Sequence, residues 1–170
     1  ILSYAPTQKV GAFYYMEVHM VFKHLSEKFY NDYPAQKFPE LMLKENRPYT
    51  QVITDINGLK FAIPLRSDIS HHADVLWTNK RAGYGLDFTK AVVILDDAYI
   101  SDERVYIRQK EHRFLLGKER RVKEKMLKCI SHYKDAKANI QEEHNAQYCR
   151  YSTLQYFEEF IYTDVENKSL

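Results

Sequence analysis

RPYTQVITDINGLKFAIPLRSDISHH, residues 47–72, decides the fold. Asn57-Gly58 lies between two strand-like runs, 50–56 and 59–65, and Asn-Gly is the strongest short-range signal for a two-residue β-hairpin. Leu59, Phe61, Ile63 and Leu65 alternate with Lys60, Ala62 and Pro64, so one face of the second strand is expected to be buried. A two-residue turn also fixes the register. Ile56 faces Leu59, and Asp55 faces Lys60 as an opposite-charge cross-strand pair. Carried to the open end, this register sets Tyr49 opposite Arg66 and Arg47 opposite Asp68. Pro48 and Pro64 each lack an N–H and can interrupt the ladder there.

Upstream of the hairpin, Val18, Phe22, Leu25 and Phe29 recur at helical spacing and predict an amphipathic helix over 16–30. Residues 31–34 end it, because the residue before a proline avoids helical backbone. A loop with one turn at 40–44 follows. Downstream, AVVIL at 91–95 reads as a buried central strand, with 86–90 leading into it. A turn at 96–101 and a short strand at 105–107 come next. Val122, Met126, Ile130 and Tyr133 share one face of a helix over 119–133. Helices are also expected over 135–148 and over 154–161, the last with Ser152 or Thr153 as its N-cap. The sum is one α+β domain over 1–170, a mostly antiparallel sheet with helices packed around it.

At 170 residues the chain is long enough to bury a real core. Gly and Pro number 5 each, and no Ser/Gly-rich linker, repeat or low-complexity tract divides it. Cys129 and Cys149 lack metal spacing and read as free thiols in a reducing cytoplasm. No apolar run approaches the roughly 20 residues of a transmembrane helix. No signal peptide is visible, and the start at Ile1 without Met is expected of a chain lacking a short N-terminal piece. Net charge is only +2, but residues 108–128 carry nine Lys/Arg against three Glu. Beyond residue 155, acidic side chains dominate. That polarity suits a polyanion on one face, or simply a solvated helix of mixed charge. The 14 Tyr suit base stacking as well as core edges.

The hairpin's open end gathers Arg47, Tyr49, Arg66, Ser67 and His71. RNA cleavage without a metal needs a base for the ribose 2′-OH, groups that stabilise the phosphorane, and an acid for the departing 5′-oxygen. Arg47 and Arg66 could each clamp a phosphate with planar, bidentate contacts. Ser67 could hold a non-bridging oxygen, and His71 titrates near neutrality. Plainer roles exist for each: Arg47 pairing with Asp68, Ser67 capping a turn, His71 lying on a surface loop. Lys90 could reach a phosphate at a strand entrance, or extend to solvent. Asp55 and Lys60 read as a surface pair, and Cys149 as a core thiol. The histidines lack metal-ligand spacing, and no nucleotide-binding fingerprint or hydrolase elbow is present.

Five blocks carry a resemblance: AFYYMEVHMVFKHL at 12–25, NRPY at 46–49, INGLKFAIPLRS at 56–67, GLDFTKAVVI at 85–94, and CRYSTL at 149–154. In order and over most of the chain, they resemble the toxins of type III toxin–antitoxin systems, the ToxN/AbiQ group and its CptN branch most of all. The resemblance implies a strongly twisted antiparallel sheet with surrounding helices. It also implies a metal-independent, sequence-preferring endoribonuclease without cofactors. Such an enzyme leaves a 2′,3′-cyclic phosphate and a 5′-hydroxyl. Its partners would be cellular RNA and an RNA antitoxin of pseudoknot repeats, which the toxin processes and which fills its active-site groove in a cyclic toxin–RNA assembly.

Carried over by position, the family's basic residue before the first hairpin strand falls on Arg47, and its serine after Pro-Leu falls on Ser67. The threonine before that serine is Arg66 here. The lysine two places after it is Ile69, and a tyrosine four places before the basic residue is Leu43. His71 then becomes the expected proton-transfer group, with Tyr49 and His72 behind it. Arg66, His72, Lys90, Lys118, Arg120, Arg121 and Lys125 are the expected RNA-binding side chains, and Tyr49 or Trp77 would stack on a base. A non-catalytic RNA-binding module and a helix-rich protein-interaction domain are the competing classes.

Overall fold

Asn57 and Gly58 turn the chain with left-handed backbone, φ 53° and 84°, as a tight hairpin loop demands. The structure, a computed structural model, describes residues 20–42 and 49–163. β2 (Gln51–Ile56) and β3 (Leu59–Arg66) flank the turn and pair in the expected register, Ile56 with Leu59 and Gln51 with Pro64. The ladder continues past the proline, since Leu65 donates its N–H to Thr50 C=O at 2.8 Å. Tyr49 and Arg66 therefore flank the open end.

Asp55 and Lys60 do face each other, yet they are not an ion pair. Asp55 Oδ1 accepts the Gly58 N–H at 3.2 Å and so closes the turn, while the Lys60 ammonium binds Asp97. Burial is also deeper than one face. Phe61, Ala62 and Ile63 are all fully buried, so the middle of β3 is covered on both sides.

Among the described residues six strands form an antiparallel sheet in the order β1-β2-β3-β5-β4, with β6 beside β5 on β3. β1 is Val21–Lys23, β4 Val75–Asn79, β5 Tyr84–Asp87 and β6 Val92–Val93. The helices are α1 (Glu27–Asp32), α2 (Gln109–Leu115), α3 (Glu119–Ala138), α4 (Glu143–Tyr151) and α5 (Glu158–Thr163). α3 packs on β2 and on α4, and α2 on β4. Val122, Met126, Cys129, Tyr133 and Ala136 form the buried stripe of α3 at the spacing a core-facing helix requires. This is an α+β fold, a twisted sheet surrounded by helices.

β3, not the AVVIL run, is the central strand, and its neighbour breaks in the middle. From Leu65 to Ala62 β3 advances three residues, whereas its partners advance six, from Leu86 to Val92. The surplus is taken up by a 3-10 turn, Phe88–Lys90. Pro64 faces this break. Along β3 the N–H groups alternate sides; that of Leu65 points to β2, so position 64 points to the β5–β6 side, where a proline has no donor to offer. A strand that cannot be paired there is matched by a neighbour that leaves the ladder.

Other expectations change. Val21–Lys23 is an edge strand rather than helix, because Val21 and Phe22 pair with Ile53 and Val52, and sheet pairing overrides the helical spacing. α1 begins later, where the Ser26 Oγ accepts the Phe29 N–H. The part of the expected helix before residue 20 lies outside the described residues. No strand forms at 105–107, and α2 follows instead. The expected 135–148 helix is divided by a break between α3 and α4. The 154–161 helix is a 3-10 turn, Thr153–Tyr156, capped by Ser152, and then α5. Cys129 and Cys149 are free and buried. No helix among the described residues is long and apolar enough to cross a membrane.

β4 and β5 meet closely at Gly85, which pairs with both Arg66 and Trp77. A Cβ there would lie 2.7 Å from the Leu76 carbonyl oxygen and 3.1 Å from the Trp77 Cα. Gly85→Ala is expected to cost about 1–3 kcal/mol and lower the thermal midpoint by roughly 2–12 °C. An unchanged midpoint would show that these strands do not approach so closely.

Candidate functional site

Asp87 is the last residue of β5, still paired with Val75 of β4, just before the chain turns away. Its side chain is 0 % exposed. Asp87 Oδ1 accepts the Thr89 N–H at 3.1 Å and the Thr89 hydroxyl at 2.6 Å, which caps the 3-10 turn. Oδ2 accepts Arg66 Nη1 at 2.5 Å and faces His71 Nε2 at 3.0 Å. One buried carboxylate thus binds a guanidinium from the end of β3 and an imidazole from the following loop. That loop is pinned by Ile69, itself buried, whose N–H donates to Gly83 C=O at 3.1 Å.

The electrostatics are mutual. The hydrogen bond to Asp87 holds the His71 pKa above its ordinary value; burial opposes this, and the Asp87 charge and the Ala73 backbone reinforce it. For Asp87, burial pushes the carboxyl up, but His71, Thr89 and Arg66 overcompensate and hold it below its ordinary value. At neutral pH the ring is therefore shifted toward imidazolium. Asp87 engages Nε2, and the Ala73 backbone also bonds the ring, so its orientation is set from two sides. The His71 side chain is 36 % exposed, whereas Arg66 is only 12 % exposed.

Arg66 is incompletely satisfied. Its Nε is buried and, among the described residues, has no hydrogen-bond partner; it is ion-paired with the Asp68 carboxylate at 3.4 Å, outside hydrogen-bond geometry. A buried donor left in this state costs about 1–3 kcal/mol. Asp68 is mostly exposed, so it can withdraw for a better-placed oxygen.

A cavity of about 450 Å³ adjoins the network. Its lining includes His71, Thr89 and Lys90 on the sheet side, and Gln147, Tyr148 and Tyr151 from α4. The Tyr148 ring is fixed: its hydroxyl donates to Asp74 Oδ2 at 2.7 Å, and it stacks on His132 at 4.2 Å.

Several expected contacts are placed differently. Ser67 is half-buried beside Arg66. Arg47 and Leu43 lie outside the described residues. Tyr49 is only 8 % exposed, so its ring is not offered to a base. Lys90 is neither solvated nor free for a phosphate. Its ammonium sits 2.6 Å from Glu40 and donates to Tyr151 C=O at 2.7 Å, so its charge is already balanced. Burial raises the Cys149 thiol, in keeping with a core role. Lys125 donates to Val75 C=O, and Lys118 lies over the Phe114 ring at 4.6 Å. Arg120 and Arg121 are exposed, the former bonded to Glu124. His72 and Trp77 form a tilted pair with ring centroids 5.9 Å apart. Arg108 covers the Tyr84 ring at 4.3 Å, and Arg104 lies 5.4 Å from that of Tyr106.

Asp87, the hub, was not singled out by the sequence pattern, nor was the α4 wall. The available signal was local: Asp87 two residues before Thr89 at a strand end is an Asx-type cap. Among the described residues no three His, Cys, Asp or Glu side chains cluster as a metal site.

The His71–Asp87 pair sets a pH dependence. The raised His71 pKa contributes stability that is complete below about pH 6.5 and is lost as pH rises through the folded-state value. The lowered Asp87 pKa contributes stability above about pH 3.8, lost as pH falls through its folded-state value. Asp87→Asn is expected to remove both steps and to cost about 3–5 kcal/mol, since two cations lose one buried anion. Thermal midpoints measured from pH 2 to 9 check this; parallel wild-type and variant curves would dissolve the pair.

The chain matches no known protein-family model, no curated protein and no solved structure.

Proposed function

We propose that the protein is a metal-independent endoribonuclease, the toxin of a type III toxin–antitoxin system. The observation that carries this reading is the convergence of Arg66 and His71 on buried Asp87, at the hairpin end that holds Ser67 and opens on a cavity. The sequence resemblance of the hairpin and the GLDFTKAVVI block supplies the class. Both halves of the Arg66–Asp87–His71 network lie in those blocks or within four residues of them.

In this reading the ribose 2′-oxygen attacks phosphorus and the P–O5′ bond breaks, leaving a 2′,3′-cyclic phosphate and a 5′-hydroxyl. Arg66 stabilises the phosphorane, its Nε exchanging the loosely placed Asp68 carboxylate for a phosphate oxygen. Ser67 and Arg47 hold the scissile phosphate. His71, biased toward its cation by Asp87, gives a proton to the 5′-oxygen, and the 2′-OH proton passes to water. Exposed Arg120 and Arg121, with Trp77 and His72, extend the contact along the RNA. The cognate antitoxin would be a repeated RNA pseudoknot bound in the same groove, closing a cyclic assembly in the cytoplasm.

The surface pairs Arg108–Tyr84, Arg104–Tyr106 and His72–Trp77 favour one second reading, a non-catalytic RNA-binding module. His71→Ala separates the two. On a long RNA, cleavage is expected to fall about 10²–10⁴-fold with RNA affinity retained, and wild-type cleavage is expected to persist in EDTA. Wild-type rates in the variant would move the acid elsewhere. Intact RNA with tight, salt-sensitive binding by the wild type would favour the module.

A further inference from the structure

We infer that the 450 Å³ cavity between the 67–73 loop and α4 is a nucleobase subsite, which seats the base of the nucleotide beside the scissile phosphate. This rests on the nuclease reading for the phosphate's position, though not for the chemistry of the cavity itself.

Position comes first. His71 belongs both to the cavity wall and to the Asp87 network. A nucleotide whose phosphate meets Arg66 and His71 has its base within reach of this cavity. The volume lies in the range of small-ligand pockets.

Each basic group of the lining already faces a carboxylate. Among the described residues these are Lys90 on Glu40, His71 on Asp87 and His144 beside Glu142. Two of the three Lys90 donors go to Glu40 and to the Tyr151 carbonyl, which fixes the ammonium and leaves one donor over. A neutral ring with hydrogen-bonding edges fits such a wall; another anion would compete with Glu40.

Shape favours a flat aromatic guest. Tyr148 cannot swing away, being bonded to Asp74 and stacked on His132. Tyr151, 52 % exposed, stands at the rim and offers a ring face, and base–aromatic stacking contributes about 1–3 kcal/mol. Gln147, exposed on the same helix, carries both a donor and an acceptor. It is suited to tell one base edge from another. The Thr89 hydroxyl is already committed to Asp87, so Gln147 shares the reading with the His144 ring and the remaining Lys90 donor.

The test has two arms. In the first, a random-sequence RNA pool is cut by wild type, Gln147→Ala and Tyr151→Ala, and the ends are sequenced. The base preference at one position beside the cut is expected to fall about threefold to tenfold in Gln147→Ala. An identical preference in both variants would overturn the subsite. In the second arm, the four nucleoside 3′-monophosphates are titrated by calorimetry. Unequal affinities that draw closer in Gln147→Ala support the subsite even if the wild type cuts no RNA, an outcome that would remove the nuclease reading alone. Equal or absent binding of all four to the wild type would remove the subsite.

Discussion

Asp87 is a charge with no access to water, and the site exists because its surroundings supply what water would have given. Isolated, a buried carboxylate would take up a proton rather than stay ionised. Four donors prevent this: the Thr89 N–H and hydroxyl on one oxygen, Arg66 and His71 on the other. The arrangement is reciprocal, because the same carboxylate fixes a guanidinium and an imidazole that would otherwise be free to turn. Arg66 and His71 are therefore held in place before any anion arrives, and less ordering would be required to bind one.

The carboxylate reaches this position through the backbone. Pro64 offers no N–H on the β5–β6 side of β3, and the neighbouring chain leaves the ladder there for a 3-10 turn. Asp87 caps that turn, so a break in sheet pairing becomes the place where polar groups enter the core. The same departure carries Lys90 to Glu40 and to the end of α4, which ties the cavity wall to the sheet. One proline thus links the ladder to the network and the network to the cavity.

The hairpin and its register were legible because Asn-Gly and strict alternation are local signals. So was the stripe of α3. What failed was settled at a distance. Val21–Lys23 carries helical spacing but pairs with β2, and Lys60 turns from Asp55 to Asp97 on another loop. Within the site, Arg66, Ser67 and His71 could be grouped because they lie on six residues of chain. Asp87, sixteen residues beyond His71, could not be, and neither could the α4 side chains that complete the cavity. The ion pair of Lys90 was hidden for the same reason, since Glu40 lies fifty residues away. Tyr49 sits at the register position expected of it, and burial removes its ring from the surface.

The end groups left on RNA test the account most directly. Purified protein incubated with a defined RNA is expected to yield fragments with 2′,3′-cyclic phosphate and 5′-hydroxyl termini, resolved by phosphorus NMR and by 5′-kinase labelling without prior phosphatase. Fragments bearing 5′-phosphate and 3′-hydroxyl ends would contradict attack by the 2′-oxygen, and with it the roles given to Arg66 and His71.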